Sequence, residues 1–286
     1  MNCAASQKEI LTALEWYVDH GVDITVLDEV QDRSVLPEPV LESLTPTPSD
    51  RQAGFAPAGG AVSGEAPAFL GKSDAYDEAV KLAKAVSSLD ELQKTIAEFD
   101  GVSLKKTASN MVFSDGNPQA DIMIIGEAPG ADEDRMGKPF VGVSGQLLDR
   151  ILNCIGLDRK GEEASDSVYI SNILNWRPPG NRTPSPAEIE VSLPFIERHI
   201  QLVDPKMIIL CGGVSAKSLL GSTQSISRLR KVWHDYRPQT EQLGGQDKVI
   251  PTLATYHPSY LLRTPLQKKA VWEDMLRVQE KRSDLK

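Results

Sequence analysis

The period of the apolar positions changes along the chain. Residues 5–20 carry Ile10, Leu11, Leu14, Tyr17 and Val18 at helical spacing, which predicts an amphipathic helix. From about Leu36 to Lys72 the periodicity stops. Pro37, Pro39, Pro46, Pro48, Pro57 and Pro67 stand there among Ala, Gly and Ser, the composition of a disordered linker with little to bury. Helical spacing returns over Ser73 to Phe99 and breaks at Ser88-Leu89-Asp90-Glu91, where Ser88 reads as a new N-cap. Three segments follow: a helical extension over 1–35, a Pro/Ala/Gly-rich flexible linker over 36–72, and a folded domain over 73–286.

Beyond Phe99 strands alternate with helices. Asp121–Gly126, Val168–Leu174, Met207–Cys211 and Ile250–Tyr256 read as strands. Between and after them, Val143–Ile155, Pro186–Leu202, Val214–Leu220 and Pro265–Lys281 read as helices. This alternation predicts an α/β fold, a three-layer αβα sandwich with a central four-stranded, mainly parallel sheet, plus the N-terminal extension. Ligands of such sheets bind beyond the carboxyl ends of the strands. Here those ends carry Glu127, Asn172, Gly212-Gly213 and His257, which places four strand ends around one cleft.

The turn after the first strand, Gly126-Glu127-Ala128-Pro129-Gly130, runs on to Gly137-Lys138-Pro139-Phe140-Val141-Gly142. Its glycines and prolines fix a turn and admit close backbone approach, and Glu127, Glu133 and Asp134 add charge. Neither GxGxxG nor GxxxxGK[ST] is present, which speaks against a nucleotide-phosphate loop. Asn172 offers the paired donor and acceptor that match a base edge, and would serve equally as a satisfied buried amide. His257, held extended before Pro258, is either structural or a support for a developing anion. Phe140 is either core or a stacking platform. The stiff loop Trp176–Pro184 brings Arg177 and Arg182, which either clamp phosphates or decorate a solvated connection. Ser227-Arg228-Leu229-Arg230-Lys231 leaves the same two readings open. Leu261-Leu262-Arg263 could wedge between bases or begin the closing helix.

Charge narrows little. The net charge is −9, but residues 1–100 hold 7 Lys and Arg against 18 Asp and Glu, and the remainder holds 24 against 22. The acidity is therefore N-terminal, and the rest is free to carry a basic face toward nucleic acid. No apolar run approaches membrane-spanning length, and the N-terminus lacks a secretory pattern. Cys3, Cys154 and Cys211 are odd in number, widely spaced and without a CxxC pair. That argues against a disulfide framework or zinc ribbon and fits reduced thiols in a cytoplasmic protein.

Three motifs, GEAPGADEDRMGKPFVG, YISNILNWRPPGNRTPSPAEI and ATYHPSYLLR, follow in that order. Together they span about Phe99 to the C-terminus, and they resemble the uracil-DNA glycosylase superfamily, specifically its bacterial and archaeal family 4. The helix and Pro/Ala-rich linker ahead of them are similar to alphaproteobacterial members. The resemblance implies base excision repair: uracil is flipped from DNA and its N-glycosidic bond hydrolysed. Gly126, Phe140, Asn172 and His257 would form the uracil site. Phe140 stacks on the base, Asn172 reads its O4 and N3 edge and rejects cytosine, and His257 donates to O2. Glu127, Glu133 and Asn181 would position water and support the sugar cation. Arg177, Arg182, Ser259, Leu261, Leu262 and Arg263 would hold the opened DNA. No lysine in the motifs is placed for a Schiff base (Lys138 lies in the variable part of its loop), so a monofunctional enzyme is expected. Its partner would be uracil-containing DNA, single- or double-stranded, bound by a monomer working at the nucleoid.

The resemblance also implies a [4Fe–4S] cluster on four cysteines. The corresponding segment Gly101-Val102-Ser103-Leu104-Lys105, Trp176 and Ser192 hold none, and neither Cys154 nor Cys211 falls at those places. No cofactor and no metal is therefore expected, with Trp176 and its neighbours filling the volume. A branch that bonds covalently to uracil through a loop histidine is set aside, since none lies between Asn172 and Glu188. The competing function is an inactive module binding damaged or single-stranded DNA. Intact Glu127, Asn172 and His257 weigh against it.

Overall fold

A computed structural model describes residues 74–243 and 248–284. The expected helix at 5–20, the linker at 36–72 and Cys3 lie outside the described residues. The first described helices, α1 (Asp74–Ala85) and α2 (Leu89–Glu98), are separated where Ser88 accepts a bond from the Glu91 amide, so the expected N-cap is present.

The sheet contains β1 (Asp115–Gly116), β2 (Ile122–Gly126), β3 (Val168–Asn172), β4 (Met207–Cys211), β5 (Trp233–Tyr236) and β6 (Ile250–Thr255), ordered β1-β3-β2-β4-β6-β5. Its four central strands are parallel, with Gly126 opposite Asn172 and Cys211 opposite Thr255. These are the four strands the apolar runs predict. Two short antiparallel strands, β1 and β5, extend the sheet at its edges, so it has six strands rather than four. They escape pattern reading because β1 is the dipeptide Asp-Gly and β5 reads Trp-His-Asp-Tyr, with no apolar run in either. Short, charged edge strands also discourage pairing with another sheet.

Successive side chains on a strand point to opposite faces, and that parity builds two cores. Met123, Ile125, Tyr169, Ile208 and Leu210 pack under α1, α2, α5 (Pro186–Val203) and α6 (Gly213–Leu220). Ile122, Ile124, Val168, Ile170, Met207 and Ile209 pack under α4 (Val143–Asn153) and α9 (Lys268–Asp284). Three shorter helices complete the set among the described residues: α3 (Ala131–Met136), α7 (Ile226–Leu229) and α8 (Pro258–Arg263). The chain leaves β2 toward β3 on one side and later returns to β4 on the other. Connections therefore diverge between β2 and β4, which opens a crevice at their carboxyl ends.

Two buried polar clusters tie helices to the sheet. Asp274 of α9 is fully buried and accepts from Arg230 Nε at 3.0 Å and from Thr255 Oγ1 at 2.8 Å. It thus anchors the end of the strand that delivers His257. Arg230, read from the sequence as a phosphate contact or solvated cation, is neither: it is buried against Asp274 and lies over the Tyr256 ring.

In the second cluster, His199 of α5 stacks on Phe113 and meets the Tyr169 hydroxyl at 2.9 Å. Burial holds His199 neutral, with its pKa lowered from 6.5 to about 3. The unfolded chain takes up this proton below about pH 6.5, whereas the folded chain resists until about pH 3. The contribution is therefore complete above pH 6.5 and is lost as pH falls toward 3, by about 2 kcal/mol at pH 5. Urea midpoints at pH 7 and pH 5 should show this loss, and the His199→Gln variant should lack that part of it.

Candidate active site

A cleft of about 480 Å³ opens beyond the carboxyl ends of the central strands, at the crevice between β2 and β4. Its lining brings together Glu127 after β2, Asn172 at the end of β3, Gly212-Gly213 after β4 and His257 after β6, with Phe140 from the long turn. All four strand ends therefore meet, as the alternating pattern predicts.

Gly126 is the centre of this arrangement. A Cβ there would lie 2.4 Å from Asn172 Oδ1 and 2.6 Å from Phe140 Cζ, so both side chains close on a backbone only glycine leaves free. Phe140 itself has φ 52°, in the left-handed region, which costs a non-glycine residue about 1–2 kcal/mol. Its ring is buried and its centroid lies 5.4 Å from that of His257, tilted by 27°. The Asn172 amide is 2 % exposed, yet it has no hydrogen-bond partner among the described residues. A buried amide facing a cleft with unspent donors and acceptor is poised for a ligand.

His257 caps α8. Its Nδ1 accepts from the Ser259 amide at 3.1 Å and faces the Ser259 hydroxyl at 2.8 Å. Because Nδ1 accepts a backbone N–H, the ring proton sits on Nε2. Desolvation, reinforced by the Arg263 charge and opposed by Glu133, lowers the pKa to about 4, so the imidazole is neutral at pH 7.

The two carboxylates of the long turn behave differently. Glu127 lines the cleft without a side-chain partner among the described residues, and burial raises its pKa. Glu133 is buried, and its oxygens accept from the amides of Gly130, Val141 and Gly142 at 3.1, 3.0 and 2.9 Å. Three bonds bind Glu133 to the two ends of its loop, and it serves there as a clamp. Asp134 does the same for Ser109 and Asn110.

The expected DNA contacts divide. Arg177 donates Nε to Asn181 Oδ1 at 2.7 Å, and the Asn181 amino group, on the exposed loop at the cleft, has no partner among the described residues. Arg182 forms a two-bond pair with Glu188, and that hydrogen bond is the leading reason the Glu188 pKa falls to about 2. Arg182 thus reaches the cleft with its charge already partnered. Arg263 and Ser259 line the cleft, and Leu262 is exposed. Leu261 corrects the sequence expectation: it is fully buried in the core shared with α4 and α9, so its side chain cannot enter DNA. In α8 the inward-facing position falls to Leu261, while Leu262 faces outward. Ser144, Thr183 and Tyr260 also line the cleft; Ser144 lies outside the three motifs, and Thr183 and Tyr260 lie within them but carry no expected role.

The residues near Gly101, Trp176 and Ser192 do not fit an iron–sulfur cluster, which needs thiolate donors. Val102 and Leu104 are buried in the same apolar core as Phe99 and Phe195, whose rings meet edge-on at 5.1 Å, and Trp176 packs against it. Ser192 donates its hydroxyl to the Glu188 carbonyl at 2.8 Å. Among the described residues, Cys154 is exposed at the end of α4, Cys211 is buried in β4, and no three His, Cys, Asp or Glu group together for a metal.

Comparison with known proteins agrees with this geometry. Residues 113–276 match the family described as the uracil DNA glycosylase superfamily. A type-4 uracil-DNA glycosylase of Archaeoglobus fulgidus is 36% identical over 200 residues, covering 68% of this chain and 94% of that protein. The type-4 enzyme of Thermotoga maritima is 38% identical over 156 residues, 54% of this chain and 73% of its own. A type-5 uracil-DNA glycosylase of Thermus thermophilus is 30% identical over 155 residues, 50% of this chain and 67% of its own. With its strand ends, motifs and relatives all pointing the same way, the chain belongs to the uracil DNA glycosylase superfamily.

Proposed function

We propose that this protein removes uracil from DNA by hydrolysing the N-glycosidic bond, leaving free uracil and an abasic site, with no lyase step. One observation carries the reading: the Phe140 ring and a buried Asn172 amide with no partner among the described residues close on Gly126, and the neutral His257 imidazole lies beside that ring in the same cleft. Phe140 stacks on the flipped base. The Asn172 amide donates to O4 and accepts from N3–H, an edge that cytosine presents reversed. His257 Nε2–H donates to O2, where negative charge collects as the bond to C1′ lengthens. Glu127 orients water toward C1′ and, when ionised, balances the sugar cation. Glu133 holds the loop that carries Phe140, and the Asn181 amino group faces the same water. Arg263 and exposed Leu262 meet the DNA beside the cleft. No helix among the described residues is long and apolar enough to cross a membrane.

The test is release of free base from single- and double-stranded oligonucleotides by purified protein, with uracil compared against cytosine, thymine and hypoxanthine. Uracil release from either strand form, without strand cleavage at the abasic site, is expected. No release from both overturns the reading and leaves a binding module.

We also propose that the protein works without a cluster; the reading is supported by the lack of thiolates at Gly101–Lys105, Trp176 and Ser192 and by the apolar core that Phe99, Phe195 and Trp176 share. Iron and acid-labile sulfide should then be far below one equivalent per chain, and chelators should leave both melting temperature and activity unchanged. A stoichiometric iron content would refute this.

A further inference from the structure

We infer that Arg159, on the loop between α4 and β3, is a positioning residue that sets the Phe140 ring for stacking. The inference rests on the glycosylase reading above and assigns the base platform a support outside the three motifs. Phe140 needs one because its backbone lies in the left-handed region, at φ 52°, where a side chain stays only if its surroundings over-determine it.

Arg159 supplies that support through the backbone that carries the ring. Its Nη1 donates to the Pro139 carbonyl at 3.1 Å and its Nη2 to the Phe140 carbonyl at 2.8 Å. Two consecutive carbonyls are thus held by one planar fork, which fixes the rotation of the peptide between them. The fork is itself immobilised. Asp149 of α4 accepts from Nε at 2.8 Å, and Asp115 of β1 accepts from Nη1 at 3.1 Å. The side chain is only 9 % exposed, so these bonds face little competition from water. Gly145 completes the seat, since a Cβ there would lie 1.9 Å from the Phe140 oxygen. The edge strand β1 and the first turns of α4 therefore bear on the stacking face through a single guanidinium. Lysine at 159 would keep the charge between the two carboxylates but could not hold both carbonyls in one plane.

The experiment measures the inhibition constant of free uracil, with the melting temperature recorded for each protein. The set is the full-length chain, Arg159→Met, Arg159→Lys, Phe140→Ala and the Arg159→Met/Phe140→Ala double variant. Losing a stacking partner weakens base binding by roughly tenfold. Arg159→Met is expected to raise the constant by about that factor, and the double variant to raise it no further than Phe140→Ala alone. An unchanged constant in Arg159→Met, or a double variant showing the product of the two single effects, overturns the inference. A lowered melting temperature with unchanged uracil binding marks a merely structural residue and also overturns it. If Arg159→Met does not melt cooperatively, Arg159→Lys carries the test: a raised constant supports the inference and an unchanged one overturns it. A wild-type protein that neither releases nor binds uracil removes the glycosylase reading itself, a result visible before any variant is compared.

Discussion

The His257→Ala variant should release uracil with a kcat lowered by about 10²- to 10³-fold and a KM close to wild type, the loss typical of removing one donor aimed at a developing oxyanion. The reason is the timing of charge. Uracil O2 is a modest acceptor in the bound substrate and becomes strongly negative only as the glycosidic bond breaks, so the Nε2–H bond strengthens in the transition state. Neutral imidazole suits this task. Because Ser259 occupies Nδ1 and desolvation takes the pKa to about 4, the donor is in place without a charge that would have to be desolvated when DNA closes the cleft. A corollary concerns pH. An ordinary histidine would give kcat an inflection near pH 6.5, and His257 should contribute none in that region, so wild type and His257→Ala should share any inflection that remains there. Rapid-quench turnover from pH 5 to 8 checks both points. A His257→Ala variant within fivefold of wild type would sink the assigned role.

The second large effect is expected at Asn172. Asn172→Asp puts a carboxylate oxygen in place of the amino group proposed to donate to uracil O4, and a carboxylate offers acceptors only. The site loses its donor to O4 and gains repulsion in a position that is 2 % exposed in the native protein. Sites built to hydrogen-bond one partner reject a mismatched one by about 10⁴-fold, so kcat/KM for uracil should fall by at least about 10³-fold. Discrimination should move in the other direction, because a carboxylate accepts from the amino group of cytosine. The ratio of uracil to cytosine release, measured on matched oligonucleotides, should therefore drop sharply. Equal discrimination in wild type and variant would show that Asn172 does not read the base.

Much of the fold and of the site is legible in the sequence. β2 and β4 read as unbroken apolar runs, and β3 and β6 as mostly apolar ones, because the faces of these four parallel strands are covered; the residues after them share the carboxyl end of the sheet. Other features depend on neighbours distant in sequence. Glu133 and Glu127 look alike in a glycine-rich turn, and only the folded loop shows that one is bound to three amides while the other stays open to the cleft. Leu261 and Leu262 are adjacent leucines, and only the seating of α8 against the core decides which points inward. Arg230 stands in a basic run that reads as surface, yet Asp274, forty-four positions later, draws it inside. The edge strands carry no apolar pattern because edges need none. The support of Phe140 by Arg159 involves no motif at all.

The anchoring of Thr255 by Asp274 has a practical corollary for work at the C-terminus. The final helix is not a removable cap, because its buried carboxylate fixes the strand that leads to His257. A shortened chain ending ahead of that helix should lose turnover before it loses its remaining secondary structure. Affinity tags and fusions belong beyond its last turn.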